Sequence, residues 1–265
     1  MSIISPERRK YLNKRKKERL IINTFRFLII FSFLIIWELL ARTKSINTFI
    51  TSCPSDIITT TYTLMKDGSL FNHISITLYE IIISFILSFI ISFIISIIMW
   101  LVPVFSKVID PYLTVLNSLP KVSLGPLIII WAGASVRSII VMGLLISIFV
   151  TTINLYTYFS NTDNSYIYLL KSFGANKYQI LKEVIIPSNI KNIFSSIKVN
   201  LSMNYIGVIM GELLVSKKGL GYLITYGSNV FHINLVITSV FILCILSYLM
   251  YFLIELINKK ISTIS

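Results

Sequence analysis

Apolar stretches long enough to cross a bilayer recur six times along this chain, near residues 25–41, 74–101, 112–132, 136–159, 193–215 and 233–257. Runs of about 18 or more apolar residues are read as membrane helices. Many windows are apolar on every side, whereas a soluble helix keeps one polar face. With 55% of its 265 residues hydrophobic, the chain reads as an all-α integral membrane protein of about six transmembrane helices. The third stretch is the least regular, because Pro111, Pro120 and Pro126 interrupt it. Such breaks are tolerated in a membrane where the backbone is buried in protein or lines a cavity.

Charge placement sets the expected orientation. The net charge is +13, and Arg8, Arg9, Lys10, Lys14, Arg15, Lys16, Lys17, Arg19 and Arg26 crowd the start of the chain. A nucleic-acid arm is the rival reading of such a segment. Directly before a membrane span, however, it is what the positive-inside rule expects, and it can also meet anionic lipid headgroups. If the N-terminus is inside, 18 of the 24 lysines and arginines fall on inner segments, counting Lys107 and Lys121 there. Both termini are therefore expected in the cytoplasm. The expected layout is a basic arm (1–26), a transmembrane domain (27–258) and a short tail (259–265). The first span holds Trp37 and Glu38 and has no small-residue cleavage site after it, so it is read as uncleaved.

Several chemistries find no residues. Cys53 and Cys244 lie far apart, His73 and His232 stand alone, and no metal site or cofactor is expected. No GxxxxGK[ST] phosphate loop and no nucleophile–base pair is present, so enzyme activity within this chain is not expected.

Two polar stripes cross the apolar runs. Ser84, Ser88, Ser92 and Ser96 share one helix face, either to let a neighbouring helix approach or to wall a translocation path. Ser196, Asn200 and Asn204 repeat at the same spacing, continued by Gly207 and Gly211. Asparagine in a bilayer is costly unless it pairs or meets water. Glu212, at the outer end of that span, is interfacial, paired with Lys217 or Lys218, or part of a gate. Glu38 and Glu80, near span ends, read as interfacial or paired. No line of acidic residues crosses the membrane, which weakens proton coupling. Gly219-Leu220-Gly221 marks a turn.

Between the fourth and fifth spans lies a polar island, TDNSYIYLLKSFGANKYQILKEVIIP, from Thr162 to Pro187. Apolar positions at 167, 169, 170 and 173 follow a helical period, and Gly174 is placed to break that helix. A second segment, 176–186, groups Ile180, Leu181 and Val184, and Pro187 is expected to end it. Two short helices at the membrane face fit this pattern. They form either a docking device for a partner or an ordinary amphipathic loop.

Taken in order, these residues resemble the permease subunits of ATP-binding-cassette importers, most of all the nitrate/sulfonate/taurine type. The resemblance covers residues 28 to 257. It rests on Trp37-Glu38-Leu39-Leu40-Ala41-Arg42, Pro54-Ser55-Asp56-Ile57, Thr77-Leu78, Asp110-Pro111, Leu119-Pro120, Pro126-Leu127 and Trp131-Ala132-Gly133. Gly174 and Pro187, and Glu212 with Gly219-Leu220-Gly221, complete it. The chain departs from the pattern at Tyr168-Leu169-Leu170, where Glu-Ala-Ala is usual, at Glu80, near a usual basic residue, and mildly at Ser123.

The resemblance implies a path formed by two permease copies, two separate ATP-binding subunits below, and an extracytoplasmic solute-binding protein. It implies that Tyr168, Lys171, Gly174, Ala175 and Pro187, within a coupling loop at 163–187, meet the ATPase. Pro120, Pro126, Asn200, Asn204, Glu212, Gly219 and Gly221 become candidates for the path or its gate. The substrate would be a sulfonate-, taurine- or nitrate-like anion or a small heterocyclic nutrient. Lys121 and Arg137 are the cations considered for attracting an anion, and both also fit span ends. The competing readings are a membrane adaptor or sensor without transport, and the coupling subunit of a vitamin importer. The latter is disfavoured because the island has no arginine.

Overall fold

The computed structural model describes residues Pro6–Ser262, which are helical nearly throughout, with no strand among them. The first five positions of the expected basic arm and the last three of the expected tail lie outside the described residues. The chain divides into two units, the first ending at Thr63 and the second beginning at Leu64. In the first, helix α1 runs unbroken over Pro6–Arg42, so the basic segment and the first apolar run are one helix. Glu38 is paired there: it accepts from Arg42 Nε at 2.7 Å and from the Ser55 amide at 3.1 Å. The short α2 (Thr48–Thr51) is capped by Asn47, and α3 (Pro54–Lys66) leads out of the unit.

The second unit holds α4 (Ser69–Leu101), α5 (Pro103–Ser118), α6 (Gly125–Ala132), α7 (Val136–Ser160) and α8 (Asn164–Ser172). It continues with α9 (Lys177–Ile180), α10 (Ile186–Ser188), α11 (Ile190–Val215), α12 (Leu220–Asn229) and α13 (Ile233–Ser262). Polarity in α4 is inverted relative to a soluble protein. Ser84, Ser88, Ser92 and Ser96 are fully buried, while Ile82, Ile86, Ile90, Ile94 and Ile98 face outward, each at least 40% exposed. Only a lipid solvent makes that arrangement favourable. Among the described residues, five helices are long and apolar enough to span a bilayer, and α5 with α6 would make a sixth.

The serine stripe settles how α4 lies. Ser84, Ser92 and Ser96 donate to the carbonyls of Ile140, Ile148 and Thr152 at 2.9–3.1 Å, each 56 residues on. A constant offset means α4 and α7 run parallel. Pairs with α11 show the opposite trend, from Thr77–Glu212 (135 apart) to Ser88–Asn200 (112 apart) on α4 and from Ser147–Asn204 (57 apart) to Thr151–Asn200 (49 apart) on α7, so α11 is antiparallel to both. Two parallel helices joined in sequence need a crossing between them, and α5–α6 supplies it. That third stretch is not one straight helix: its halves meet at 85°.

The break lies at Leu119-Pro120. Proline pushes the residue before it out of the α region, and Leu119 is extended at φ −64, ψ 143. Pro111 is instead carried inside α5, and Pro126 sits in the first turn of α6, where a missing N–H costs little.

Small residues let α7 and α11 touch. A Cβ added to Gly207 would lie 2.6 Å from the Gly143 Cα and 2.9 Å from the Met142 carbonyl oxygen, a backbone clash that no rotamer relieves. Toward the end where α4 and α7 finish, Leu155, Phe159, Ile180, Leu181 and Ile185 form one buried cluster. At the other end Leu70, Leu220, Leu223, Leu235, Ile242 and Leu243 form another.

Candidate functional site

The polar island folds as two short helices under the ends of α4 and α7. Asp163 caps α8 by accepting from the Ser165 amide at 2.8 Å, and that bond holds its carboxyl below the usual aspartate range. Gly174 ends α8 at φ +78. The Ala175 amide reaches the Leu170 carbonyl and the Gly174 amide reaches that of Lys171, the paired bonds of a glycine-terminated helix. Asn176 and Gln179 then cap α9 reciprocally, at 2.9 and 2.7 Å. This Asn-x-x-Gln spacing was readable in the sequence as a helix start.

Pro187 does not end the second helix. The chain widens into a π-turn at Leu181–Ile185, with the Ile186 amide bonded to the Leu181 carbonyl, and continues past the proline to Ser188. A wide turn absorbs the missing donor and the ring's bulk. The break falls at Asn189, whose side chain is buried and donates to Thr162 Oγ1 at 2.7 Å, closing the loop on itself. Lys177 donates to the Leu101 carbonyl at 3.1 Å and so caps the end of α4.

Burial divides the island into two faces. Ile180, Leu181 and Ile185 anchor it, with Ile167, Leu170, Ala175 and Val184 packed around them. Tyr166, Tyr168, Leu169, Phe173 and Tyr178 point away, each more than half exposed. Of the four apolar positions that follow the helical period, Ile167 and Leu170 pack inward whereas Leu169 and Phe173 point outward. The Lys171 ammonium lies 5.6 Å from the centre of the Tyr168 ring, and Gly174 and Pro187 are exposed.

At the opposite end, three consecutive amides opening α12 are captured by three side chains. Gly219 donates to His73 Nδ1 (2.9 Å), Leu220 to Thr77 Oγ1 (2.9 Å) and Gly221 to Glu212 Oε2 (2.5 Å), while the Thr77 hydroxyl donates to Glu212 Oε1 at 2.6 Å. The glycines make room for the carboxylate. A Cβ on Gly221 would meet the Glu212 Cβ at 2.6 Å, and one on Gly219 would strike the carboxylate itself. The motif and Glu212 are therefore one device, joining α4, α11 and α12. Glu212 is fully buried and pairs with neither Lys217 nor Lys218 among the described residues. Glu80 is buried as well. Its carboxyl lies against that of Glu212, and neither of its oxygens meets a donor.

The other candidates are placed apart from this latch. Asn200 and Asn204 are fully buried in the α4–α7–α11 seam. Asn200 donates to Thr151 and accepts from Ser88, and Asn204 donates to Ser88 and Ser147. Their amide nitrogens, like the serine stripe, are engaged in helix–helix bonds, while Asn204 Oδ1 is buried without a donor. Pro120 and Pro126 are exposed on the bent pair. Sequence reading did not single out Thr77 and His73 as partners of the glycine motif, and their distance along the chain gives no local signal.

Residues 88–263, well over half of the chain, match the family described as binding-protein-dependent transport system inner membrane component. A probable ABC transporter permease protein of Haemophilus influenzae is 28% identical over 228 residues, covering 86% of this chain and 92% of that protein. A putative aliphatic sulfonates transport permease protein of Bacillus subtilis is 24% identical over 230 residues, covering 85% and 82%. Among solved structures, an inward-facing form of the MetNI methionine ABC transporter has a similar fold. Its TM-score is 0.64 at 16% identity, with 74% of this chain and 97% of that one covered.

Proposed function

The chain belongs to the family of binding-protein-dependent transport system inner membrane components, the permeases of ATP-binding-cassette importers, and we propose that it forms the path for a small solute by alternating access. Two copies line the path. Two separate ATP-binding subunits dock on the islands of the two copies, and an extracytoplasmic solute-binding protein delivers the solute. Closure of the ATPase pair draws the islands together and turns the path from inward-open to outward-open, by nearly rigid movement. Both termini then lie in the cytoplasm. The substrate class is a small sulfonate-like anion or a heterocyclic nutrient, the former supported by likeness to the sulfonate permease.

One observation carries this reading. The island is rigidly capped and anchored on one face, yet it leaves five large apolar side chains, from Tyr166 to Tyr178, exposed on the other. Aromatic anchors on a rigid support are what a protein interface uses. A sensor would have no use for a bent span.

The test is co-expression with the ATPase encoded nearest to this chain, followed by purification in detergent. The wild-type pair is expected to co-purify. Gly174→Val places a β-branched residue at φ +78, where added bulk meets no neighbour but the backbone is strained. That variant, and deletion of 163–187, should insert normally and lose the ATPase. If the wild type retains no ATPase, the docking reading fails.

A further inference from the structure

Lys121 sits at the break of the third span. Its ammonium lies 5.5 Å from the centre of the Phe149 ring and donates to Asn117 Oδ1 at 2.9 Å. Phe149 is near the middle of α7, about 20 Å from its first residue and about 17 Å from its last at 1.5 Å per residue. The lysine is therefore at mid-depth, and no longer belongs with the inner-segment charges. Arg137, the other cation considered for an anion, is exposed in the first turn of α7. An ammonium at mid-depth cannot face hydrocarbon without a partner or water. None of the ion pairs among the described residues includes Lys121, and one neutral amide takes only one of its three protons.

A second feature leads to it. Along α5, Lys107, Asp110, Thr114 and Ser118 follow one another at intervals of three or four and are all exposed, with Asn117 and Lys121 completing the row. This polar row climbs from the end of α4 to the break, in a segment whose other face is apolar. Asp110 lies 11 residues before the lysine, on the far side of the break, with Lys107 one turn away from it.

We propose that Lys121 is the anion-recognising group of a water-filled vestibule lined by the polar row of α5, taking a small solute through a sulfonate, carboxylate or phosphate group. The inference deepens the importer reading and rests on it for what passes through the vestibule. The vestibule and its anion preference can be measured without a known substrate.

In a full-length chain carrying Cys53→Ser and Cys244→Ser, reconstituted in liposomes, Ser118→Cys offers a single thiol at the end of α5, three residues before Lys121. It is treated in parallel with anionic (ethylsulfonate) and cationic (trimethylammonium-ethyl) methanethiosulfonates, both membrane-impermeant. The introduced thiol should react with both and favour the anionic reagent. Lys121→Met should lower the anionic-to-cationic rate ratio about tenfold, and Lys121→Arg should restore it. If neither reagent reaches the thiol, there is no vestibule and the proposal is overturned. If Lys121→Met leaves the ratio unchanged, the lysine does not recognise anions and the proposal is equally overturned. ATPase co-purification from the same membranes reads the importer assignment separately, so failure of one is not mistaken for failure of the other.

Discussion

At the scale of single residues, the two ends of the membrane unit use charge differently. Glu212 is buried, and its acceptor sites are filled by the Thr77 hydroxyl and the first-turn amide of Gly221, so a helix N-terminus faces the carboxylate. Asp163 makes the same kind of bond in water, at the tip of the island. Its pH behaviour can be worked out. The Ser165 amide depresses the folded-state value below the ordinary 3.8, so the stabilisation is complete above that ordinary value and lost as pH falls through the folded one. The protection of the Ser165 amide against exchange, taken relative to the intrinsic rate at each pH, should therefore fall as pH drops from about 4 to about 2. Asp163→Asn keeps an acceptor without the titrating charge and should remove that acid step. An unchanged acid step in the variant would mean another group controls the start of α8.

At the scale of elements, the serine stripe shows what the sequence did and did not reveal. The four-residue spacing identified the face at once, and left open whether it served packing or a polar path. The structure chooses packing, because three of the four hydroxyls donate to carbonyls of α7 at constant register and the fourth, of Ser88, donates to Asn200 of α11. Interhelical hydrogen bonds in membranes are worth only about 0.6 kcal/mol on average. Small size should thus matter more than the hydroxyl. Ser92→Ala is expected to change thermal stability in detergent by less than about 1 kcal/mol. Ser92→Leu should cost about 1–3 kcal/mol or more by forcing α4 away from α7. A large loss in the alanine variant, equal to that of leucine, would assign the stripe to hydrogen bonding instead.

The island was legible to a similar degree. Gly174 announced its own turn, whereas the π-turn before Pro187 did not. Its cause is a proline held in a helix by tertiary anchoring through Ile185, and a local pattern does not contain that information. The latch at the start of α12 escaped for a like reason. Thr77 meets Glu212 and the Leu220 amide only because α4 and α11 are antiparallel, and that register is fixed by contacts far apart in the chain.

At the scale of the whole membrane unit, the register of helices replaces charge counting as the topological argument. Parallel α4 and α7 put Leu101 and Ser160 at one end, and the bent pair must cross once between them. Antiparallel α11 and α13 follow from Lys198 bonding Glu255 while Tyr205 bonds the Leu243 carbonyl, so α13 ends where the island lies. Moving Lys121 to mid-depth takes one cation from the inner side and leaves a bias of nearly three to one. Single cysteines in a chain carrying Cys53→Ser and Cys244→Ser should report this in intact cells. Ser135→Cys and Lys217→Cys should react with an impermeant thiol reagent from outside, and Asn161→Cys and Lys259→Cys only after the membrane is opened. The decisive comparison is Asn161 against Ser135, the two ends of α7. Asn161 labelled from outside with Ser135 protected would mean that the bent pair re-enters without crossing, and the parallel pairing of α4 with α7 would have to be abandoned.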